Sequence, residues 1–338
     1  MAFKRFQPLS VSRNLTLKNR LVLPPMASQT ANTDGKVTEQ TLAHYARLSR
    51  SGAGLLMVEY SFVTEDGRSE PHQLGAHDDN CLHGLTQLAS LLKETGAVAG
   101  LQLTHCGGKT TPDVTLDMMG PSSITVPAYD RELTAPRAME KADIDHWQRA
   151  FIEAAIRAET AGFDLVELHC AHGYGLNQWL SPLTNQRHDE YGGSLRNRAR
   201  MLLEIVASIR LFSPDLTLMV RVPGQDGYPD GLSREDMAQV CEWLVEAGVA
   251  LINVSSGIGG WKRPKDKRGE GYLVDDAAYL KQQLTVPVIG VGGIETPEYI
   301  EQALANQWLD LAAVGRFLLA DPDHFRTTLL SEPTVQTA

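Results

Sequence analysis

Eight short runs rich in Val, Leu and Ile recur along this chain, each followed by a segment of helical character. That repetition constrains the fold strongly, because successive parallel strands need a crossover connection, which is usually a helix. The runs are Leu21 to Pro24, Gly54 to Phe62, Val98 to Thr104, Leu165 to His169, Leu216 to Val222, Ala250 to Ser255, Pro287 to Val291 and Leu311 to Gly315. Most are continuously apolar, as strands covered on both faces must be. Eight units without a composition break predict an α/β fold, a single (β/α)8 TIM barrel domain over residues 1–338; an open doubly wound sheet is the alternative. Phe6 to Arg20 are expected to form an N-terminal hairpin closing the bottom of the barrel. The longest connection, Cys106 to Ala142 after the third run, carries Pro112, Pro121, Pro127 and Pro136 and has the length of a lid or binding loop.

Helix starts are marked chemically. Thr296-Pro297 and Asp321-Pro322 put a capping oxygen before a proline at the first helical position. Ser233 with Asp236 resembles a capping box, and Ser194 opens the helix after the fourth run. Trp147, Phe151, Ala154 and Ala158 form one core-facing stripe, with Asp143 before it as the expected cap and Gly162 after it.

With 338 residues, 43% apolar and 21% charged, the chain has enough apolar material for a large core. A formal net charge of -10 argues against a broad basic surface for nucleic acid or anionic membrane and leaves small molecules as partners. Cys81, Cys106, Cys170 and Cys241 show no C-x-x-C spacing, so no disulfide framework, zinc site or iron–sulfur site is expected. No run of about 18 apolar residues occurs, and Met1 to Ser10 lacks a signal-peptide core, so a cytoplasmic protein is expected.

Barrel enzymes carry their reacting groups at the C-terminal ends of strands. The residues selected by that rule are Pro24-Pro25-Met26-Ala27, Glu59-Tyr60, Gln102, His105, His169, His172, Arg221, Ser255-Ser256-Gly257, Gly292-Gly293 and Gly315-Arg316. The glycines after runs seven and eight let backbone N–H groups approach a phosphate, and the helix starting at Asp321 is expected to add its positive end. Arg221 suits stabilisation of negative charge, with a structural ion pair as the alternative. Gln102 offers a donor and an acceptor, the pair needed to read a uracil-like edge. His169-Cys170-Ala171-His172-Gly173-Tyr174 puts two imidazoles and a phenol where they can meet in one cavity. A metal there would need a third ligand, and none stands at a suitable spacing.

Taken with Ser181-Pro182, Arg187, Asp189, Tyr191-Gly192-Gly193-Ser194, Asn197-Arg198 and Arg200, this block resembles the Old Yellow Enzyme family, specifically its shorter bacterial branch. The likeness spans nearly the whole chain, from Pro25-Met26 to Gly315-Arg316. It implies FMN across the barrel mouth, with Pro24, Pro25, Met26, Ala27, Tyr60, Gln102, His169 and Arg221 around the ring and Gly292, Gly293, Gly315 and Arg316 around the phosphate. It implies NADPH or NADH as reductant and an electrophilic alkene as substrate, held by His169 and His172 and protonated by Tyr174. Asp189 to Arg200 are expected to be structural. A homo-oligomer is expected, but no C-terminal arginine is evident to reach a neighbouring subunit as in that branch.

Several positions depart from the family pattern. Ala27 stands where Thr or Cys is common and tunes the flavin, an effect lost here unless Ser28 compensates. Gln29 replaces a substrate-facing Tyr, Tyr60 a small residue, and Gly108 an Arg. Lys262, Arg263, Lys265, Lys267 and Arg268 beside Trp261 make a basic cluster that suits either a solvated loop or attraction of an anionic substrate or the 2′-phosphate of NADPH. Other readings are a related FMN barrel, such as a dienoyl-CoA reductase, an amine or ketone dehydrogenase or a dihydrouridine synthase, and a flavin-binding protein without turnover.

Overall fold

The computed structural model describes residues 3–261 and 269–331. It opens with an antiparallel hairpin of β1 (Leu9–Ser12) and β2 (Leu15–Leu17). β3 (Leu21–Leu23) then leads to α1 (Glu39–Ser49), and β4 (Leu55–Phe62) to α2 (Leu82–Lys93). β5 (Val98–Thr104) reaches α3 (Lys141–Thr160) through the two-residue strands β6 (Met119–Gly120) and β7 (Arg137–Ala138). β8 (Leu165–His169) is followed by α4 (Gly175–Leu180) and α5 (Leu195–Phe212), β9 (Thr217–Pro223) by α6 (Arg234–Glu246), and β10 (Leu251–Ser255) by α7 (Val274–Lys281). β11 (Val288–Gly290) precedes α8 (Pro297–Ala305), and β12 (Leu311–Ala313) precedes α9 (Arg316–Ala320) and α10 (Pro322–Leu329).

The eight expected runs form one closed parallel barrel in the order β3, β4, β5, β8, β9, β10, β11, β12, sealed where Ala312 of β12 pairs with Leu21 of β3. The protein is therefore a (β/α)8 TIM barrel, and the open sheet is set aside. Two buried clusters alternate along the strands, as a period of two demands. Val22, Leu55, Met57, Leu165, Met219, Leu251 and Ile289 fill the barrel interior. Leu21, Leu23, Leu56, Val58, Val166 and Leu168 face outward and pack under the helices. Leu17 of the hairpin is buried in the interior cluster, with Leu9, Val11 and Leu15 packed on it, so the hairpin plugs the barrel as expected.

Most helix starts match their sequence signals. Ser194 accepts from Asn197 N–H, Ser233 and Asp236 form the capping box, and Thr296 and Asp321 cap helices that begin with proline. The start of α3 differs. Glu140 is the cap residue, its backbone carbonyl accepting from Asp143 N–H at 3.1 Å, while the Asp143 carboxylate accepts from Glu140 N–H at 2.8 Å, so Asp143 is the third helical residue and not the cap. Trp147, Phe151, Ala154 and Ala158 are all fully buried, as the stripe requires.

Candidate active site

The strand ends at the top of the barrel open into a cavity of about 520 Å³, within the size range of cofactor sites. Strand register sets its floor. Gln102 of β5 lies beside Glu167 of β8, His169 of β8 beside Arg221 of β9, and Arg221 beside Asn253 of β10. Gln102 Nε2 donates to Glu167 Oε1 at 2.7 Å, and Asn253 Nδ2 donates to Glu167 Oε2 at 2.7 Å. Burial pushes the Glu167 carboxyl up, opposed by the nearby Arg221 charge and by the Asn253 and Gln102 hydrogen bonds. Arg221 is itself fully enclosed, and burial lowers its value against the pull of Glu167. A guanidinium remains charged under such conditions, so the floor carries one fixed positive group.

The turn after β8 raises the imidazoles and the phenol above that floor. His172 has φ 62 and Gly173 φ 77, both in the left-handed region. A Cβ on Gly173 would stand 2.2 Å from the Ile258 carbonyl oxygen, so glycine is required there. The His169 ring lies 5.1 Å from that of His172 and 4.9 Å from that of Tyr174 between centroids. His172 Nε2 pairs with Ser255 Oγ at 2.7 Å, and that oxygen also accepts from Arg221 at 3.3 Å. The Lys109 ammonium donates to the His172 carbonyl and sits 5.2 Å over the Tyr174 ring.

Burial, then Arg221 and Lys109, hold both imidazoles well below the ordinary value of 6.5, with His169 adding to the effect on His172. Burial pushes the Tyr174 phenol up to about 12. Near neutral pH the site therefore presents two neutral imidazoles and a protonated phenol. The unfolded chain takes up protons near the ordinary imidazole value, whereas the folded chain resists until lower pH. Stability from His169 and His172 is thus complete above pH 6.5 and falls below it, by up to about 1.4 kcal/mol per pH unit for each imidazole. Urea unfolding across this range should show that slope, reduced by about half in His172→Gln.

Pro24, Pro25, Met26, Ala27, Tyr60, Gln102, Arg221, Ser255, Ser256, Gly292, Gly293, Gly315 and Arg316 line the same cavity, whereas Glu59, His105 and Gly257, also selected from the strand ends, do not: Glu59 is held by Ser28, and His105 stacks on Trp147. Gly292 and Gly293 take φ of 120 and 68, and a Cβ on Gly292 would stand 2.9 Å from the Leu273 backbone nitrogen. One expectation is corrected. The helix beside these glycines is α9, which starts after Gly315, whereas Asp321 caps α10 with its own carboxylate on Asp323 and His324 N–H and does not line the cavity. Ser28 donates its hydroxyl and N–H to the buried Glu59 carboxylate at 2.5 and 2.8 Å and does not line the cavity.

The family model for the NADH:flavin oxidoreductase / NADH oxidase family matches residues 4–330. The chain belongs to this family. An NADPH dehydrogenase of Geobacillus thermodenitrificans is 40% identical over 318 residues, covering 94% of this chain and 91% of the relative. The barrel superposes on an Old Yellow Enzyme homologue from Zymomonas mobilis with a TM-score of 0.82 and 24% identity, over 96% of this chain and 92% of the other. Morphinone reductase in complex with tetrahydroNAD gives a TM-score of 0.79 at 25% identity, over 95% and 90% of the two chains.

Membership of the Old Yellow Enzyme family makes the protein an FMN-dependent NAD(P)H oxidoreductase. The residues present fit that cofactor. The Arg221 Nε, His169 Nδ1 and Asn253 Oδ1 atoms are buried without a hydrogen-bond partner, and Gly292 and Gly293, both at positive φ, present bare backbone to the same cavity. No helix among the described residues is long and apolar enough to cross a membrane. Lys262 to Arg268 lie outside the described residues, while Trp261 lines the cavity mouth.

Sequence reasoning passed over Glu167 and Asn253, although a carboxylate and an amide inside apolar runs are themselves a signal of a buried network. It also passed over Glu70, Asp130 and Arg131 at the mouth; the last two lie in the long loop after β5, which bends back so that Tyr129 N–H reaches the Gly259 carbonyl at 3.0 Å. Asp189, Tyr191, Asn197, Arg198 and Arg200 line no part of the cavity. Arg198 donates to the Leu180 and Gly193 carbonyls, and Tyr191 to Glu204, which is the structural network expected.

Proposed function

We propose that the protein reduces the activated C=C bond of an α,β-unsaturated carbonyl or nitro compound, drawing electrons from NADPH or NADH. The observation that carries this reading is the meeting of His169, His172 and Tyr174 in one cavity, with ring centroids about 5 Å apart. Bound FMN supplies the hydride chemistry. Pro24 to Ala27, Gln102 and Arg221 hold its ring, and Gly292, Gly293, Gly315 and Arg316 its phosphate, with the Tyr60 ring 5.6 Å from Tyr174.

His169 and His172, both neutral, donate N–H hydrogen bonds to the substrate oxygen, and this polarises the double bond toward its β-carbon. Neutral donors suit this role because they stabilise negative charge building on that oxygen without protonating it beforehand. Arg221 adds a fixed positive charge beneath them. Tyr174 keeps its proton at neutral pH and delivers it to the α-carbon, after which solvent restores it. Turnover in deuterium oxide should place one deuterium at the α-carbon of the product, as read by proton NMR, because that proton comes from solvent through the phenol. A product without deuterium at the α-carbon would remove this assignment of roles. The cavity mouth, with Gln29, Glu70, Asp130, Arg131 and Trp261, is the region that selects the substrate.

A further inference from the structure

We propose that His77, Asp78 and Cys81 form a site for a zinc-like divalent cation, outside the cofactor cavity. Among the described residues this is the one trio of potential ligands whose donor atoms all lie within 4.8 Å of one another. Cys81 Sγ is 3.7 Å from His77 Nδ1 and 3.7 Å from Asp78 Oδ1. Zinc–sulfur and zinc–nitrogen bonds of about 2.3 and about 2.0 Å at a tetrahedral angle separate their donor atoms by about 3.6 Å. Both distances to the sulfur are therefore close to those of a tetrahedral ion.

A second observation points the same way. His77 Nε2 lies 2.8 Å from Glu65 Oε1, so Glu65 fixes the tautomer that leaves Nδ1 as the free lone pair facing the thiol. A ligating imidazole whose other nitrogen is held by a carboxylate is the common outer-shell arrangement of metal sites. The His77 ring is also held flat against Phe62, with centroids 4.7 Å apart. Cys81 is almost fully buried, whereas the Asp78 side chain is 43% exposed, so a cation enters from solvent and keeps a fourth position for water. Asp79 and Glu65 add negative charge that the neighbouring Arg157 and Arg68 partly balance. Mixed sulfur, nitrogen and oxygen donors favour zinc over magnesium or calcium.

The consequence lies in the loop between β4 and α2. Glu65 stands near the start of that loop and the three ligands near its end, so the contact of Glu65 with His77 links the ion to the other end of the loop. Between them Ser69 donates to the Tyr60 hydroxyl at 3.4 Å and Glu70 lines the cavity. The ion thus pins the end of the loop that forms one wall of the cavity. The cysteine spacing gave no sign of it, because the pattern is H-D-x-x-C and draws on three residue types.

The test is equilibrium dialysis of the chelator-treated, FMN-loaded protein against zinc chloride, with metal content read by elemental analysis. One zinc per chain is expected, with Cys81→Ser and His77→Gln abolishing it and Glu65→Ala weakening it by about 10- to 100-fold. Substitution by cobalt(II) should give a thiolate-to-metal charge-transfer band that Cys81→Ser lacks. No zinc retained by the wild-type chain overturns the proposal whatever the variants do. Zinc retained equally by Cys81→Ser and His77→Gln overturns it as well, since the ion then sits elsewhere. The FMN content of each variant reports whether it folds.

Discussion

Tyr174→Phe lowers alkene turnover by about 10²- to 10⁴-fold while leaving reduction of the protein by NADPH within about threefold of the wild type, the range expected when a general acid alone is removed. The substitution deletes only the phenolic oxygen. Its ring still fills the space between His169 and Tyr60, whose centroids lie 4.9 and 5.6 Å away, so the cavity keeps its shape. Burial holds this phenol up near 12, which makes it a weak acid in the ground state. It transfers its proton only to a strongly basic centre, such as the carbanionic carbon of an enolate. Rapid-reaction absorbance separates the two half-reactions and reads the loss in the second alone. Equal losses in both would mean that Tyr174 holds the nicotinamide or the cofactor and is not the proton donor.

His172→Ala lowers the same step by about 10²- to 10³-fold, the usual effect of removing one donor from a preorganised anion-stabilising pair. His172 is held on two sides, its ring nitrogen on Ser255 Oγ at 2.7 Å and its left-handed backbone by the turn into Gly173. That fixed position is what makes its hydrogen bond strong in the transition state, since little reorganisation is left to do. His172→Asn keeps a donor and should recover part of the loss. Steady-state turnover with a single enone measures both variants, and an unchanged rate in His172→Ala would remove it from substrate binding.

The barrel was legible in the sequence because its strands are covered on both faces. Such strands read as uninterrupted apolar runs, and all eight stood within two residues of their observed ends. Residues immediately after those runs were legible for the same reason, since a closed barrel leaves the chemistry nowhere else to go. His169, Arg221 and Gln102 faced the cavity as expected because register and period of two put them there. Three features were hidden. The helix that starts beside the glycines lining the cavity is the short α9, which has no capping side chain to announce it, whereas the conspicuous Asp321-Pro322 signal belongs to α10. Glu70, Asp130 and Arg131 come to the mouth through loops whose path depends on tertiary contacts such as Tyr129 with Gly259. The cap of α3 lies at Glu140 because the Asp143 carboxylate reaches back to the Glu140 N–H from the third helical position.

The position of Ala27 bears on how strongly the bound flavin accepts electrons. It lines the cavity without a hydroxyl or thiol, and Ser28 turns away to Glu59. The residue that the resemblance puts beside the flavin thus carries no polar group here, while the fully buried Arg221 guanidinium lines the same cavity.

The central claim is that reduced cofactor in this cavity returns its electrons to an electron-poor alkene. Anaerobic stopped-flow absorbance tests it most directly: the protein is bleached with NADPH or NADH and then mixed with enones, maleimides, nitroalkenes and an enoyl-CoA. Rapid return of the yellow flavin spectrum with at least one of them, with the saturated compound recovered as product, is the predicted result. A flavin that NADPH bleaches but that no alkene reoxidises would contradict the account and turn attention to amines or ketones as substrates.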